Sequence, residues 1–225
     1  PLIKEVEPGS GLYLADPRFA NNPALLRSNG ITAVVSLTAS PNALLWNSDE
    51  YRSVIPRNRH LWIPSLDSNT QDLLQHFHRI SEFITRQLRP WWKDPWEKEQ
   101  ASAIGFGPDD DLEFIPNLLT DDHHRKGPGR PAGEKLRSLT PRPTRRVLVH
   151  CLDNLSRSKA VLAAHVMCKR GWGLRKTMNK LPAVRPANQA FMEQLRIWEE
   201  LECDIFEDDE KVKGGKVFKA RYREF

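Results

Sequence analysis

The chain has 225 residues, of which 39% are hydrophobic and 28% charged, and its net charge is +5. This is enough apolar material for one core, and no run of 18 or more apolar residues offers a membrane span. The mild positive charge suits anionic partners in general and does not single out nucleic acid. The opening "PLIKEVEPGSGLYL" lacks the apolar stretch of a signal peptide. Cys151, Cys168 and Cys203 lie far apart with no C-x-x-C pair. That spacing predicts unpaired thiols in a reducing, intracellular setting (cytoplasmic, nuclear or both), and no disulfide scaffold or zinc knuckle.

In chain order, "GLYL" (11–14) reads as a short strand, and "FANNPALLRSNG" (19–30) as a helix stopped by Gly30. "ITAVVSL" (31–37) is a β-branched, buried strand and "HLWIP" (60–64) a further strand. From Asn69 an amphipathic helix is expected, with Leu73, Leu74, Phe77, Ile80, Phe83, Ile84 and Leu88 at three- and four-residue intervals. "VLVH" (147–150) is the next strand, and helices follow over 159–169, 174–180 and 189–201. Strands alternating with helices predict an α/β domain with a mostly parallel sheet covered on both faces. The charged end "EDDEKVKGGKVFKARYREF" reads as a peripheral tail with a short helix.

Residues 90–146 break this pattern and are too long for an ordinary connection, so they read as a partly disordered insertion within a single 1–225 domain. Its charge is sorted: 93–122 holds two basic and nine acidic residues (2 − 9 = −7), and 125–146 eight basic and one acidic (8 − 1 = +7). "WWKDPWEK" (91–98) is expected to fold back, since three tryptophans are costly to leave in water. "PGRPAG" (128–133) reads as a solvated loop rather than a minor-groove hook. His123-His124 beside Asp121-Asp122 reads as an exposed polar loop, with no matching ligand spacing for a metal.

The chemistry concentrates in "RRVLVHCLDNLSRSKAVLAAHVM" (145–167). A strand ends at His150-Cys151. Leu152, Asp153, Asn154, Leu155 and Ser156 then separate the thiol from Arg157, and a helix follows. Such a turn aims backbone N–H groups and the helix N-terminus at one point, forming an anion cradle for phosphate or another oxyanion. The same donors favour a thiolate on Cys151, and the Arg157 fork can grip two phosphate oxygens. Ser158 can donate a hydrogen bond to the sulfur as it leaves. The cradle and the arginine stabilise the transferring charge, so the chemistry calls for no metal or other cofactor.

"VLVHCLDNLSRS" resembles the H-C-x-x-G-x-x-R-[ST] loop of cysteine-dependent phosphatases. "GLYLADPRFANNPALLRSNGITAVVSL", "IPSLDSNTQDLLQHFHRISEFI" and "NQAFMEQLRIWEEL" resemble the flanking elements of the dual-specificity branch. The resemblance implies a central, mainly parallel five-stranded twisted sheet flanked by helices. It also implies a shallow pocket for phosphoserine, phosphothreonine and phosphotyrosine on a protein substrate, and a phosphocysteine intermediate on Cys151. Asp67 matches the family's general acid. It lies 84 residues before Cys151, and removing the 57-residue insertion leaves 27. Asp72 is the competing carboxylate but reads as first-turn helix charge, and Asp67 itself could be the N-cap of that helix. His150 is expected to support the loop without transferring protons, and Asn188 to brace it from ahead of the last helix.

Two loop residues depart from the family. Asn154 stands at its glycine, a position asparagine tolerates at some strain. Asp153 places a carboxylate on the rim, where it repels a dianion. Three functions stay open: an active dual-specificity protein phosphatase, a weak or inactive relative that binds phosphorylated partners or acts as a scaffold, and a phosphatase of RNA 5′-phosphates or lipids. Nucleic acid would be engaged through the basic half of the insertion. A charged run is more often simply solvated, and no membrane partner is expected.

Overall fold

Aliphatic and β-branched runs form the centre of the molecule. The computed structural model describes residues 3–88, 145–153, 156–208 and 216–223. These lie in a unit made of Pro1–Arg89 and Arg145–Phe225, with Pro90–Thr144 as a second unit. Asn154, Leu155 and the insertion features read at 91–98, 121–124 and 128–133 fall outside the described residues. Arg145 and Arg146, assigned by sequence to the insertion, belong to the main body: the Arg146 carbonyl accepts from Thr32 N at 2.8 Å, and Arg146 Nη1 donates to the Asn29 carbonyl at 2.8 Å.

One sheet contains β1 (Ile3–Glu5), β2 (Leu12–Ala15), β3 (Ala33–Thr38), β4 (His60–Pro64) and β5 (Val147–Cys151), in the order β1-β2-β5-β3-β4. β1 pairs antiparallel to β2, and the other three pairings are parallel. The five-stranded, mainly parallel sheet expected from the resemblance is therefore present. The edge strand β1 carried no sequence signal, since three residues are too few to show a period. β5 is buried at every position, as a strand covered on both faces must be.

Alternation along β5 sorts its side chains onto two cores. Val147, Val149 and Cys151 join Val35, Leu37, Phe77, Ile80 and Trp198 on one face, while Leu148 joins Val34, Phe19, Leu26 and Tyr51 on the other. Truncating one of the large buried aliphatic side chains to alanine costs about 2–5 kcal/mol. The period of two also sends the side chains of His150 and Cys151 to opposite faces of the sheet.

The sequence predicted one helix over 19–30; the structure has two, α1 (Pro17–Ala20) and α2 (Pro23–Ser28). Asn22 caps the second, accepting from Leu25 N, with Pro23 in its first turn, so the chain restarts there. α3 (Ala43–Trp46) and α4 (Asp49–Arg52) are single turns that periodicity could not reveal. α5 spans Leu74–Leu88, starting five residues later than expected. α6 (Arg157–Arg170), α7 (Leu174–Lys180) and α8 (Gln189–Glu200) follow. α6 is buried nearly all round its first ten residues and ends at Gly171, whose φ of +60° suits glycine. In the tail, β6 (Phe206–Asp208) pairs with β7 (Lys216–Phe218) ahead of α9 (Ala220–Arg223), a hairpin the charged composition concealed.

The expectation of unpaired thiols is corrected for two of the three. Cys168, near the end of α6, forms a disulfide with Cys203, with Cα atoms 5.6 Å apart. Glu202 and Cys203 both take positive φ after α8, and that turn returns Cys203 to its partner. Separation along the chain says little about separation in space once α6 packs on α8. Cys151 is buried and takes no part in a disulfide.

Three histidines are held neutral. Burial pushes His60 down to about 3, aided by the charge of Arg52, and pushes His150 and His165 down to about 4. An unfolded histidine titrates near 6.5. Between about pH 6.5 and 4 the unfolded chain thus binds more protons than the native one, so stability rises with pH across that window and falls on acidification. Urea midpoints measured from pH 7 to 4.5 are expected to fall with a slope of up to three protons from these groups. His165→Gln is expected to reduce that slope by about one; an unchanged slope would show that His165 is not held neutral.

Candidate active site

Parallel strands place the loops that follow them on one edge of the sheet, where ligands bind in open α/β folds. Here the loops after β4 and β5 meet. Cys151 closes β5 and is fully buried, its Sγ 3.2 Å from the Ser158 hydroxyl. Arg157 opens α6 with only 3% of its surface exposed. Its Nη1 donates to the Ser65 carbonyl at 2.8 Å, and Nη2 lies 4.0 Å from Asp153 Oδ2. Nε has no hydrogen-bond partner among the described residues. Ser156 is buried, and its Oγ accepts from Asn188 N at 3.1 Å. Leu152 and Asp153 lie on the rim, with Leu152 62% exposed.

The loop between β4 and α5 carries Asp67, which is exposed. Asn188 Nδ2 donates to Asp67 Oδ1 at 3.0 Å, while Asn188 Oδ1 caps α8 by accepting from Ala190 N at 2.9 Å. Asn188 thus joins Asp67 and the start of α8 through its side-chain amide, and Ser156 at the start of α6 through its backbone N–H. Asp67 does not cap α5. That position is Asp72, whose Oδ1 accepts from Gln75 N at 3.2 Å and whose Oδ2 accepts from the Tyr222 hydroxyl at 2.7 Å. Asp72 therefore precedes the helix rather than sitting in its first turn.

Sequence reasoning missed the side chain that holds this loop. Gln194 is 1% exposed, and its Oε1 accepts from Leu73 N at 2.8 Å and Leu74 N at 3.0 Å. Its Nε2 donates to the Gln71 carbonyl at 2.7 Å, and Gln71 Oε1 accepts from Leu66 N at 2.8 Å. A signal was available: Gln194 shares its helix face with Phe191, Leu195 and Trp198, all buried, and a polar residue on an apolar face must have a partner.

His150 lies behind the loop. Its Nε2 is 2.7 Å from Ser36 Oγ, which is 2.9 Å from His60 Nε2. One hydroxyl has one proton, so Ser36 donates to one ring and accepts from the other. Burial lowers the His150 pKa, opposed by the Cys151 backbone and reinforced by the Arg157 charge. A ring kept neutral in this way suits the supporting role expected from sequence.

A protein-family model described as dual specificity phosphatase, catalytic domain, matches residues 137–201, which contain this loop and α6 to α8. Over this segment the chain is similar to the catalytic domain of the dual-specificity phosphatases. It is 28% identical over 151 residues, 65% of its length, to the tyrosine-protein phosphatase YVH1 of Saccharomyces cerevisiae. It is 26% identical over 203 residues, 89% of its length, to dual specificity protein phosphatase 12 of Mus musculus. It spans 31% and 42% of those two relatives. The fold is similar to the Yvh1 phosphatase domain from Chaetomium thermophilum, with a TM-score of 0.58, 19% identity, and coverage of 90% of this chain and 98% of that one. It is also similar to the human tyrosine phosphatase-like serine/threonine/tyrosine-interacting protein, with a TM-score of 0.55, 18% identity, and coverage of 90% and 98%.

Gln194→Leu keeps the volume but strands three buried backbone groups. It is expected to lower stability by about 2–4 kcal/mol and to speed hydrogen exchange at Leu73 and Leu74. Unchanged exchange there would show that Gln194 does not hold the loop.

Proposed function

We propose that the chain is a cysteine-dependent phosphatase that hydrolyses phosphoserine, phosphothreonine and phosphotyrosine on proteins. The observation that carries this is the Arg157 guanidinium, buried at the N-terminus of α6, with one amino group fixed on Ser65 and Nε left without a partner among the described residues. A buried cation with unused donors calls for an anion, and Cys151 ends the adjoining strand.

In this reading the Cys151 thiolate attacks phosphorus, the P–O bond to the substrate breaks, and Asp67 gives its proton to the departing oxygen. Arg157 and the helix N-terminus stabilise charge on the transferring group. Asp67, now a carboxylate, takes a proton from water as that water attacks the phosphocysteine, and Ser158 donates to the sulfur as it leaves. Asn188 supports the role of Asp67 by fixing one carboxylate oxygen beside the cradle. His150 stays neutral and orients the loop from behind. The curated relatives bear the names of tyrosine-protein and dual specificity phosphatases, which supports the reaction class. A second reading, a phosphate binder with slow turnover, draws on Asp153, whose carboxylate approaches the same guanidinium.

Hydrolysis of an aryl phosphate by the wild type and its loss, by at least about 10³-fold, in Cys151→Ser is the expected result; binding of phosphopeptides without turnover would favour the second reading. Asp67→Asn is expected to slow hydrolysis of alkyl phosphates about 10²-fold and to leave substrates with good leaving groups much less affected. Equal rates for wild type and Asp67→Asn on alkyl phosphates would remove Asp67 as the acid.

A further inference from the structure

We propose that Asp153 determines specificity at the mouth of the site, selecting a singly phosphorylated peptide with a cationic residue beside the phosphoresidue and rejecting one with a second anion there. The inference rests on the phosphatase reading but adds to it a substrate feature. Asp153 is half exposed, and its Oδ2 is 4.0 Å from Arg157 Nη2, too far for a hydrogen bond and near enough for a direct charge interaction. The carboxylate therefore stands beside the guanidinium expected to hold the phosphate, with one face open to solvent.

The charge of the surrounding rim agrees. Leu152 and Asp153, the exposed described residues after β5, bring no cation. The loop after β4 adds Leu66, 57% exposed, and the exposed Asp67, and Arg157 holds that loop through the carbonyl of the preceding Ser65. The rim residues Leu66, Asp67, Leu152 and Asp153 thus combine two carboxylates with two exposed leucines, while the positive charge of Arg157 is buried beneath them. A phosphate that reaches the floor neutralises Arg157. Any further anion on the substrate then faces two carboxylates with no counter-cation among these residues. A substrate arginine or lysine would pair with Asp153, and the leucines would cover the apolar part of its stem.

The test uses the full chain as Cys151→Ser, which binds without turnover, and four phosphotyrosine peptides that differ at one neighbouring position: Arg, Gln, Glu or a second phosphotyrosine. Fluorescence anisotropy is expected to show the Arg peptide bound about tenfold more tightly than the Glu peptide and the doubly phosphorylated peptide bound weakest. Adding Asp153→Asn is expected to bring the Arg-to-Glu ratio within about threefold, and raising the salt from 50 to 500 mM is expected to compress the ratio without any further substitution. A ratio unchanged by Asp153→Asn, or insensitive to salt, would overturn the proposal. Aryl phosphate hydrolysis by the wild type tests the underlying phosphatase reading separately. That reading can survive with no flanking preference, and the preference can be measured with no turnover.

Discussion

Arg157 is buried, and a guanidinium cannot escape the cost of burial by losing its proton. It must be answered by acceptors or by an anion. Among the described residues the Ser65 carbonyl accepts from it, which ties the loop after β4 to the first residue of α6. The rest of the site depends on that tie. It brings Asp67 near Asn188 and Asn188 near Ser156, next to the first residue of α6.

The support extends outward in layers. Gln194 fixes the far end of the acid-bearing loop from α8, and Tyr222 reaches its last carboxylate from the tail. Behind the sulfur, Ser36 links two neutral histidines across three strands. Each is a buried or half-buried polar contact within an otherwise apolar frame. Such contacts hold one geometry, because any other leaves a buried group without its partner.

Much of this was legible in the chain. The alternation of strands and helices gave the layer order, and the spacing from His150 to Ser158 marked the passage from β5 to α6. Asp67 and Asn188 were each singled out from the resemblance; that they meet across 121 residues was not. The rest was hidden for identifiable reasons. α3 and α4 are too short for periodicity to register, and Pro23 split a helix that its apolar residues suggested was continuous. α5 starts late because Gln194, 120 residues away, accepts from the backbone of Leu74 and competes for the groups that would extend the helix. The Cys168–Cys203 pair depends on how α6 packs against α8 and on two positive-φ residues, neither of which spacing reveals.

The central claim is that Arg157 and the turn before it hold a tetrahedral anion over the Cys151 sulfur. Crystals grown with tungstate test it most directly. The expected density is an oxyanion directly above Sγ, with oxygens on Arg157 Nε and Nη2 and Nη1 still on Ser65. Tungstate absent from that position at saturating concentration, or Arg157 paired with Asp153 instead, would contradict it.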